Sequence, residues 1–210
     1  MERCTNVLIV EDDKMIAEML RMYIESVDRY RLVKIVENAL LAPVHCAHGE
    51  VQLILMDVYT QLGADGIAAA EVIKKESPEI KIIIITGMPE FSYIKRAREA
   101  GVESFWYKEA DKEELLELMD NTMAGESVYP TETPLTPFGL TSNKELTDRE
   151  VEVLRGVVRG DTNAEISEKL FLSVETVKMH VKSLLSKTGF RTRTELAVRA
   201  RETGLVIFEE

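Results

Sequence analysis

The chain has 210 residues, and 45% of them are hydrophobic, which is enough to form two small hydrophobic cores. Its net charge is −11, and this acidic total argues against nucleic-acid binding by the whole surface, so any DNA contact must come from a local cluster of cations. The two cysteines have no metal-ligand spacing, and no apolar run suits a signal peptide or a membrane span, so we expect a cytoplasmic protein without a disulfide framework, zinc site or membrane contact.

Short apolar runs alternate with helical patterns over residues 1–124. The runs predict five strands, at Val7–Val10, Leu32–Val36, Leu53–Met56, Ile82–Ile85 and Ser104–Tyr107. Apolar stripes with helical spacing lie between them, and the second predicted helix, at residues 38–50, contains Pro43. Five strands that alternate with five helices predict a doubly wound α/β domain with a parallel sheet over residues 1–124.

Residues 125–143 carry no such pattern. They contain three prolines, four threonines and no basic residue, a composition that is typical of a linker. The remaining residues, 144–210, have no net charge and show only helical patterns. Four helix start signals predict an all-α domain with helices near residues 148–158, 163–170, 174–188 and 193–203: the Ser173 N-cap and the capping boxes that begin at Thr147, Thr162 and Thr192.

Four of the five predicted strands lead into a chemically useful side chain. In an open parallel sheet, such groups gather in the crevice at the carboxyl ends of the strands. The residues at these ends are Glu11, Asp12 and Asp13 after the first strand, Asp57 after the third, Thr86 after the fourth and Lys108 after the fifth. Converging carboxylates repel one another unless a cation lies among them, and oxygen ligands favour Mg²⁺. One carboxylate would then be free to attack phosphorus, with a lysine and a threonine holding the phosphoryl oxygens.

The runs LIVEDD, LILMD, IIIITG and SFWYK carry these residues and resemble the receiver domains of two-component response regulators. The resemblance implies a flavodoxin-like fold and Asp57 as the phosphoacceptor. It implies Mg²⁺ bound by Asp12, Asp57, the Tyr59 carbonyl oxygen and, through water, Glu11. It also implies Thr86 as the switch hydroxyl, Lys108 as the cation that pairs with the phosphoryl group, and Phe105 as the rotating aromatic. The chain departs from the family after Asp57, where residues 59–66 lack the usual proline and are one residue longer.

The predicted helix at 174–188 has two different faces. Val174, Val177, Val181, Leu184 and Leu185 recur at helical spacing and should pack inward. No acidic residue lies between Glu175 and Glu195, whereas the same interval contains six potential cations: Lys178, His180, Lys182, Lys187, Arg191 and Arg193. A basic helix that follows a short helix suits a helix-turn-helix whose second helix enters the major groove.

Residues 146–200 resemble the LuxR-type DNA-binding domain throughout, and with a receiver in front the chain is similar to the NarL/FixJ group of response regulators. The resemblance implies that Lys178, Met179 and Lys182 face bases, that Thr176, His180 and Arg193 contact the phosphate backbone, and that the last helix dimerises around residues 194–201. It further implies a histidine kinase as partner, and a receiver that occludes the recognition helix until phosphorylation allows a homodimer to bind a two-fold DNA site.

Two other functions remain open at this point. A magnesium-dependent aspartyl phosphatase of the haloacid-dehalogenase type would also use an aspartate nucleophile, but such enzymes have a second aspartate two residues later, where this chain has Tyr59. We therefore do not expect an enzyme beyond self-phosphorylation from a donor and autodephosphorylation. Alternatively, the first domain is a non-phosphorylated interaction module, for which the unusual segment 59–66 is the only support.

Overall fold

The computed structural model describes residues 4–47, 49–87, 92–108, 112–131 and 134–206. These residues form two compact units, the first containing residues 4–87 and 93–131 and the second containing residues 134–206. Each unit has its own hydrophobic core. Within the described ranges, no helix has both the length and the apolar character that crossing a membrane requires.

The first unit is built on a five-stranded parallel sheet. Its strands are β1 (Thr5–Val10), β2 (Tyr30–Val36), β3 (Leu53–Asp57), β4 (Lys81–Thr86) and β5 (Ser104–Tyr107). The spatial order is β2-β1-β3-β4-β5, and each neighbouring pair is parallel. The sequence-based prediction of a doubly wound sheet is confirmed, and all five strands lie within two residues of their predicted ends. The residues of β3 are all buried, as expected for a central strand covered on both faces.

Over the described residues, five helices accompany this sheet: α1 (Lys14–Glu25), α2 (Ala42–Cys46), α3 (Gly66–Glu76), α4 (Ser92–Glu99) and α5 (Lys112–Met123). The predicted apolar stripe of α1 is confirmed, because Leu20 and Ile24 are fully buried in the core. The second helix, whose predicted range contains Pro43, is the shortest of these five. A 3-10 turn at Ala39–Leu41 precedes α2. Pro43 lies in the first turn of α2, where its missing N–H removes no hydrogen bond of the helix.

The segment predicted as a linker is packed over most of its described length. Residues 126–130, which we call the edge segment, run beside β5. The Phe105 N–H donates to the Val128 carbonyl (2.9 Å), the Val128 N–H donates to Ser104 Oγ (3.1 Å), and the Tyr129 hydroxyl donates to the Val102 carbonyl (2.8 Å). Further on, Pro137–Phe138 pairs with Thr141–Ser142, and Phe138 is fully buried in the second core. Composition alone therefore understated the order of this segment.

The second unit contains α6 (Asp148–Arg159), α7 (Asn163–Leu170), α8 (Val174–Thr188) and α9 (Arg193–Glu202). These bounds lie within one residue of the predicted ones. The capping boxes at Thr147 and Thr162 are complete. At Thr192 only half of the box forms, since the Glu195 carboxylate accepts from the Arg191 N–H instead.

The core of the second unit includes the inward face of α8. Val177 and Leu184 are fully buried, and Val181 and Leu185 pack against them. Val174 is 37% exposed, so its predicted inward packing is wrong. It is the first residue of the helix, just after the Ser173 N-cap, where the chain enters from the exposed turn.

Candidate functional site: an acidic pocket and a basic helix

The register of the sheet brings the first acidic residues together. Val10 of β1 is the parallel partner of Met56 of β3, so the residues that follow them, Glu11 and Asp57, emerge side by side. These strands belong to the part of the sheet where the order reverses, and ligands of open α/β sheets bind in the crevice at such a point. The topology therefore places both carboxylates in the crevice where open α/β sheets bind their ligands.

Lys108 links the two carboxylates. Its Nζ lies 2.6 Å from Glu11 Oε2 and 2.7 Å from Asp57 Oδ2. Asp57 Oδ1 accepts from the Val58 N–H at 2.7 Å. Carboxylate oxygens of Glu11, Asp12 and Asp57 lie within 4.8 Å of one another. The structure thus brings four of the predicted pocket residues into one cluster.

The electrostatics of this cluster favour an added positive charge. Burial raises the pKa of the Asp57 carboxyl to about 7; the Lys108 ammonium works against this shift, and the Glu11 carboxylate adds to it. Burial acts to lower the pKa of Lys108, but the charges of Asp57 and Glu11 outweigh it, and the pKa is raised. One ammonium does not balance all the carboxylates here.

Thr86 and Lys108 lie at adjacent strand ends. Thr86, the last residue of β4, is the parallel partner of Tyr107 of β5, and the Lys108 N–H donates to the Thr86 carbonyl at 2.9 Å. Thr86 is almost fully buried. Phe105 is also buried, with its ring centre 5.2 Å from that of Tyr107 and 6.3 Å from that of Tyr129. The predicted switch residues therefore occupy β4 and β5, next to the edge segment.

The unusual segment after Asp57 is a small hairpin, which we call the pocket hairpin (residues 59–65). Tyr59–Thr60 pairs with Ala64–Asp65, and the turn between them contains Leu62 at φ 61° and Gly63 at φ 70°. Because two consecutive residues adopt the left-handed conformation, the chain reverses without a proline. Leu62 at the tip is 90% exposed.

Gly66 closes the base of the pocket hairpin. Its N–H donates to the Val58 carbonyl at 2.8 Å, and a Cβ at this position would lie 1.9 Å from the Asp57 carbonyl oxygen. The backbone of α3 thus approaches the backbone of Asp57 more closely than any side chain would permit. Gly66 was not among the predicted site residues, although a glycine directly before an apolar helical pattern is a recognisable signal.

The donor set of the pocket fits a hard divalent cation. All its side-chain donors are carboxylate oxygens, the ligand type that Mg²⁺ prefers, and the number of carboxylates leaves room for water ligands. The main-chain oxygen of Tyr59 belongs to the pocket hairpin two residues beyond Asp57. Two of these carboxylates, Glu11 and Asp57, also contact the Lys108 ammonium, at 2.6 and 2.7 Å.

The second candidate site is the outward face of α8. Lys178, Met179 and Lys182 are exposed, whereas Thr176 and His180 are partly buried. Lys178 forms an exposed ion pair with Glu175 (2.7 Å), an acid in the first turn of the same helix. The face opposite this surface carries Val177 and Leu184 and is anchored in the core. The helix therefore presents two exposed lysines on a face that points away from the core, and the major groove of DNA admits an α-helix.

Two cations of the acid-free interval are held within the protein. The Lys187 ammonium contacts Glu150 Oε2 (2.8 Å) and the Glu145 carbonyl (2.9 Å). The Arg193 guanidinium donates to Asn163 Oδ1 (2.8 Å) and to the Asp161 carbonyl. Arg193, predicted to contact a phosphate, thus joins the first turn of α9 to the first turn of α7. Neither contact was visible in the sequence, because the partners lie 30 or more residues away.

Comparisons with known proteins identify both units. Residues 7–120 match the model of the response regulator receiver domain, and residues 144–200 match that of the bacterial regulatory proteins of the luxR family. Response regulator protein VraR of Staphylococcus aureus (strain N315) is 29% identical over 205 residues, which cover 95% of this chain and 98% of VraR.

Two solved structures share this fold over nearly the whole chain. ChrA, a response regulator of a heme-sensing two-component system, is 22% identical, with a TM-score of 0.53 over 98% of this chain and 100% of ChrA. RcsB from Salmonella enterica serovar Typhimurium, bound to promoter P1flhDC in the presence of the phosphomimetic BeF3-, is 20% identical. Its TM-score is 0.61 over 94% of this chain and 98% of RcsB.

Proposed function

The chain belongs to the response regulators that combine a receiver domain with a LuxR-type DNA-binding domain, and from this premise we propose that phosphorylation of Asp57 controls its DNA binding. It is a DNA-binding transcriptional regulator of a two-component system. The observation that carries the proposal is the position of the Asp57 carboxylate, 2.7 Å from Lys108 and clustered with Glu11 and Asp12. We further propose that the protein acts in the cytoplasm, with a sensor histidine kinase as its phosphodonor.

The proposed reaction is an in-line transfer to a carboxylate. An oxygen of Asp57 forms a bond to phosphorus, the bond from phosphorus to the kinase histidine nitrogen breaks, and its electron pair stays on that nitrogen. Asp12 and Asp57, the Tyr59 carbonyl oxygen and, through water, Glu11 would hold Mg²⁺. When bound, the ion supplies positive charge against the phosphoryl oxygens. Lys108 pairs with one phosphoryl oxygen, a contact for which its position beside Asp57 prepares it.

The proposed switch uses Thr86 and Phe105. The Thr86 hydroxyl donates to a phosphoryl oxygen, and Phe105 changes its packing with the neighbouring rings. Phosphorylation then shifts the population between two packings of the receiver. Support comes from the adjacent positions of Thr86 and Lys108 and from the contacts of Phe105 with two tyrosines.

The proposed output is dimeric binding to a two-fold DNA site. The side chains of Lys178, Met179 and Lys182 face bases, and those of Thr176 and His180 contact the backbone. The second unit dimerises through α9, where Val198 is 50% exposed among charged neighbours. Two α8 helices related by a two-fold axis read half-sites about 10 base pairs apart, or a multiple of that spacing.

Labelling by acetyl phosphate in Mg²⁺ tests the phosphoacceptor, with intact-protein mass spectrometry as the measurement. Asp57→Ala should abolish the phosphorylated species, whereas Asp28→Ala, which removes an exposed aspartate after α1, should leave labelling unchanged. Full labelling of the Asp57 variant would reject the assignment. Absence of labelling in every variant, including the unchanged protein, would favour a non-phosphorylated interaction module.

A further inference from the structure

The pocket hairpin is held from two sides, and the first side is the turn after β2. The Gln61 N–H donates to the Glu37 carbonyl at 3.2 Å, and Asn38 Nδ2 donates to the Gln61 carbonyl at 3.0 Å. The Thr60 hydroxyl accepts from the Ala39 N–H at 2.8 Å. These contacts fix the turn of the hairpin and the end of its first strand, but they leave the second strand to other elements.

The second side is α4. The Arg96 guanidinium forms an ion pair with Asp65 Oδ2, and both side chains are largely shielded from solvent, with exposures of 30% and 15%. The other oxygen of this carboxylate, Asp65 Oδ1, caps α3 by accepting hydrogen bonds from the Ile67 N–H (2.8 Å) and the Ala68 N–H (3.0 Å). One carboxylate therefore ties the hairpin to two helices at once.

An aromatic contact reinforces this connection. The ring of Tyr93, which is 1% exposed, lies 6.2 Å from the ring of Tyr59, with the planes tilted by 54°. Tyr59 is the residue directly opposite Asp65 in the hairpin. Tyr93 and Arg96, both on α4, thus contact the two members of one opposing pair.

We propose that Arg96 and Tyr93 are positioning residues for the metal site: they hold Asp65 and Tyr59, and thereby the Tyr59 carbonyl oxygen, in place. The inference rests on the proposed function, because it assumes that this oxygen is a Mg²⁺ ligand. Residues that orient ligands in this way typically change metal affinity roughly 10–100-fold when they are replaced. Since coupling is reciprocal, Mg²⁺ also stabilises the position of α4 relative to the hairpin.

Calorimetric titration of the full chain with Mg²⁺ alone, without a phosphodonor, tests the inference. Arg96→Ala should weaken Mg²⁺ binding roughly 10-fold. The matched control is Lys95→Ala, which removes an equal charge from an exposed side chain one residue away. It should bind Mg²⁺ within about twofold of the unchanged protein, since charge alone acts weakly at an exposed position. Arg96→Lys, which keeps the cation, should recover part of the loss.

A second variant distinguishes loss of the ion pair from unfolding of the first unit. Asp65→Asn keeps an N-cap for α3, since asparagine is also a good N-cap, but removes the negative charge that holds Arg96. If both residues act through their ion pair, the double variant that combines Asp65→Asn with Arg96→Ala should bind Mg²⁺ about as tightly as the single variant with the lower affinity. If the losses of Mg²⁺ affinity in the two single variants added together in the double variant, the proposal that both residues act through their ion pair would be wrong.

Hydrogen exchange in α4 provides a readout that does not depend on phosphorylation. Mg²⁺ should slow amide exchange in residues 93–99 of the unchanged protein, and this effect should shrink in Arg96→Ala. If the unchanged protein takes up no Mg²⁺ at millimolar concentrations, the proposed function and the inference both fail. If it binds Mg²⁺ and Arg96→Ala binds equally well, only the inference fails.

Discussion

The ring of Tyr129 stacks on the ring of Phe105, with centres 6.3 Å apart and planes 27° from parallel. The guanidinium carbon of Arg98, on α4, lies 3.9 Å from the centre of the same tyrosine ring. Tyr129 belongs to the edge segment, which the sequence assigns to the linker, and Phe105 is the predicted switch aromatic. The chain that leads away from the receiver is therefore in direct contact with the residue that is proposed to report phosphorylation.

Replacing Tyr129 by alanine should destabilise the first unit by about 2 kcal/mol, because the stacking, cation–π and hydrogen-bond contacts are lost together. Tyr129→Phe keeps the ring and loses only the bond to the Val102 carbonyl, so its cost should be about 1 kcal/mol. Urea unfolding followed by circular dichroism measures both. An alanine variant as stable as the unchanged protein would show that the edge segment is not bound to β5 in solution.

Gly66→Ala should destabilise the first unit by about 3 kcal/mol or more, since the new methyl group would overlap the Asp57 carbonyl oxygen. Labelling by acetyl phosphate should fall as well, because relief of the overlap moves the backbone of the phosphoacceptor. The control for stability is Gly87→Ala, where an added Cβ meets no atom within 4 Å. Comparable urea midpoints for the two variants would contradict the close approach of α3 to Asp57.

Lys182→Ala should weaken binding to a DNA site selected from a random library by about 1–3 kcal/mol if Lys182 contacts a base. If it contacts only phosphate, affinity should fall equally on all sequences, and the salt slope should shrink by about one. Gel-shift titrations at two salt concentrations distinguish these cases. Lys187→Ala is the comparison, since its ammonium is held by Glu150: it should lower the melting temperature and leave the salt slope unchanged.

Glu150 should make the second unit sensitive to acid. Burial acts to raise the pKa of its carboxyl, but hydrogen bonds from Lys187, the Thr147 N–H and Ser183 outweigh it and lower the pKa to about 2, from a usual value of 4.5. The unfolded chain binds this proton more readily than the folded protein. The Glu150 carboxylate therefore makes its full contribution to the free energy of unfolding above pH 4.5. This contribution is lost as the pH falls towards 2.

Glu150→Gln tests this origin of acid sensitivity. At neutral pH the substitution should cost about 1–3 kcal/mol, because Lys187 loses its charged partner. Between pH 4.5 and pH 2 the stability of the variant should fall less steeply than that of the unchanged protein, as followed by urea unfolding at several pH values. Parallel pH profiles would assign the acid sensitivity to other carboxylates.

Most of the fold could be predicted because its signals are local. Buried strands show as continuous apolar runs, and the helices of the second unit begin at capping residues that bond within three positions. The pocket could be predicted for a related reason: each residue follows a strand, and parallel strands deliver their carboxyl ends to the same edge of the sheet.

What could not be predicted depends on contacts between distant residues. Lys187 and Arg193 look like free cations in a basic stretch, yet their partners lie at positions 150, 161 and 163. The edge segment has the composition of a flexible linker. Its Tyr129 ring nevertheless stacks on the ring of Phe105 in β5 and contacts the guanidinium of Arg98 in α4. Composition describes only what a segment could do in isolation.

The position of Leu62 suggests where this protein tolerates engineering. The tip of the hairpin is exposed to solvent at Leu62, whereas its base is closed by the hydrogen bond from the Gly66 N–H to the Val58 carbonyl. Lengthening a loop costs little free energy, about 0.6 kcal/mol for each doubling. An epitope or a fluorogenic peptide inserted between Leu62 and Gly63 should thus leave the receiver folded and provide a handle within reach of the acidic pocket.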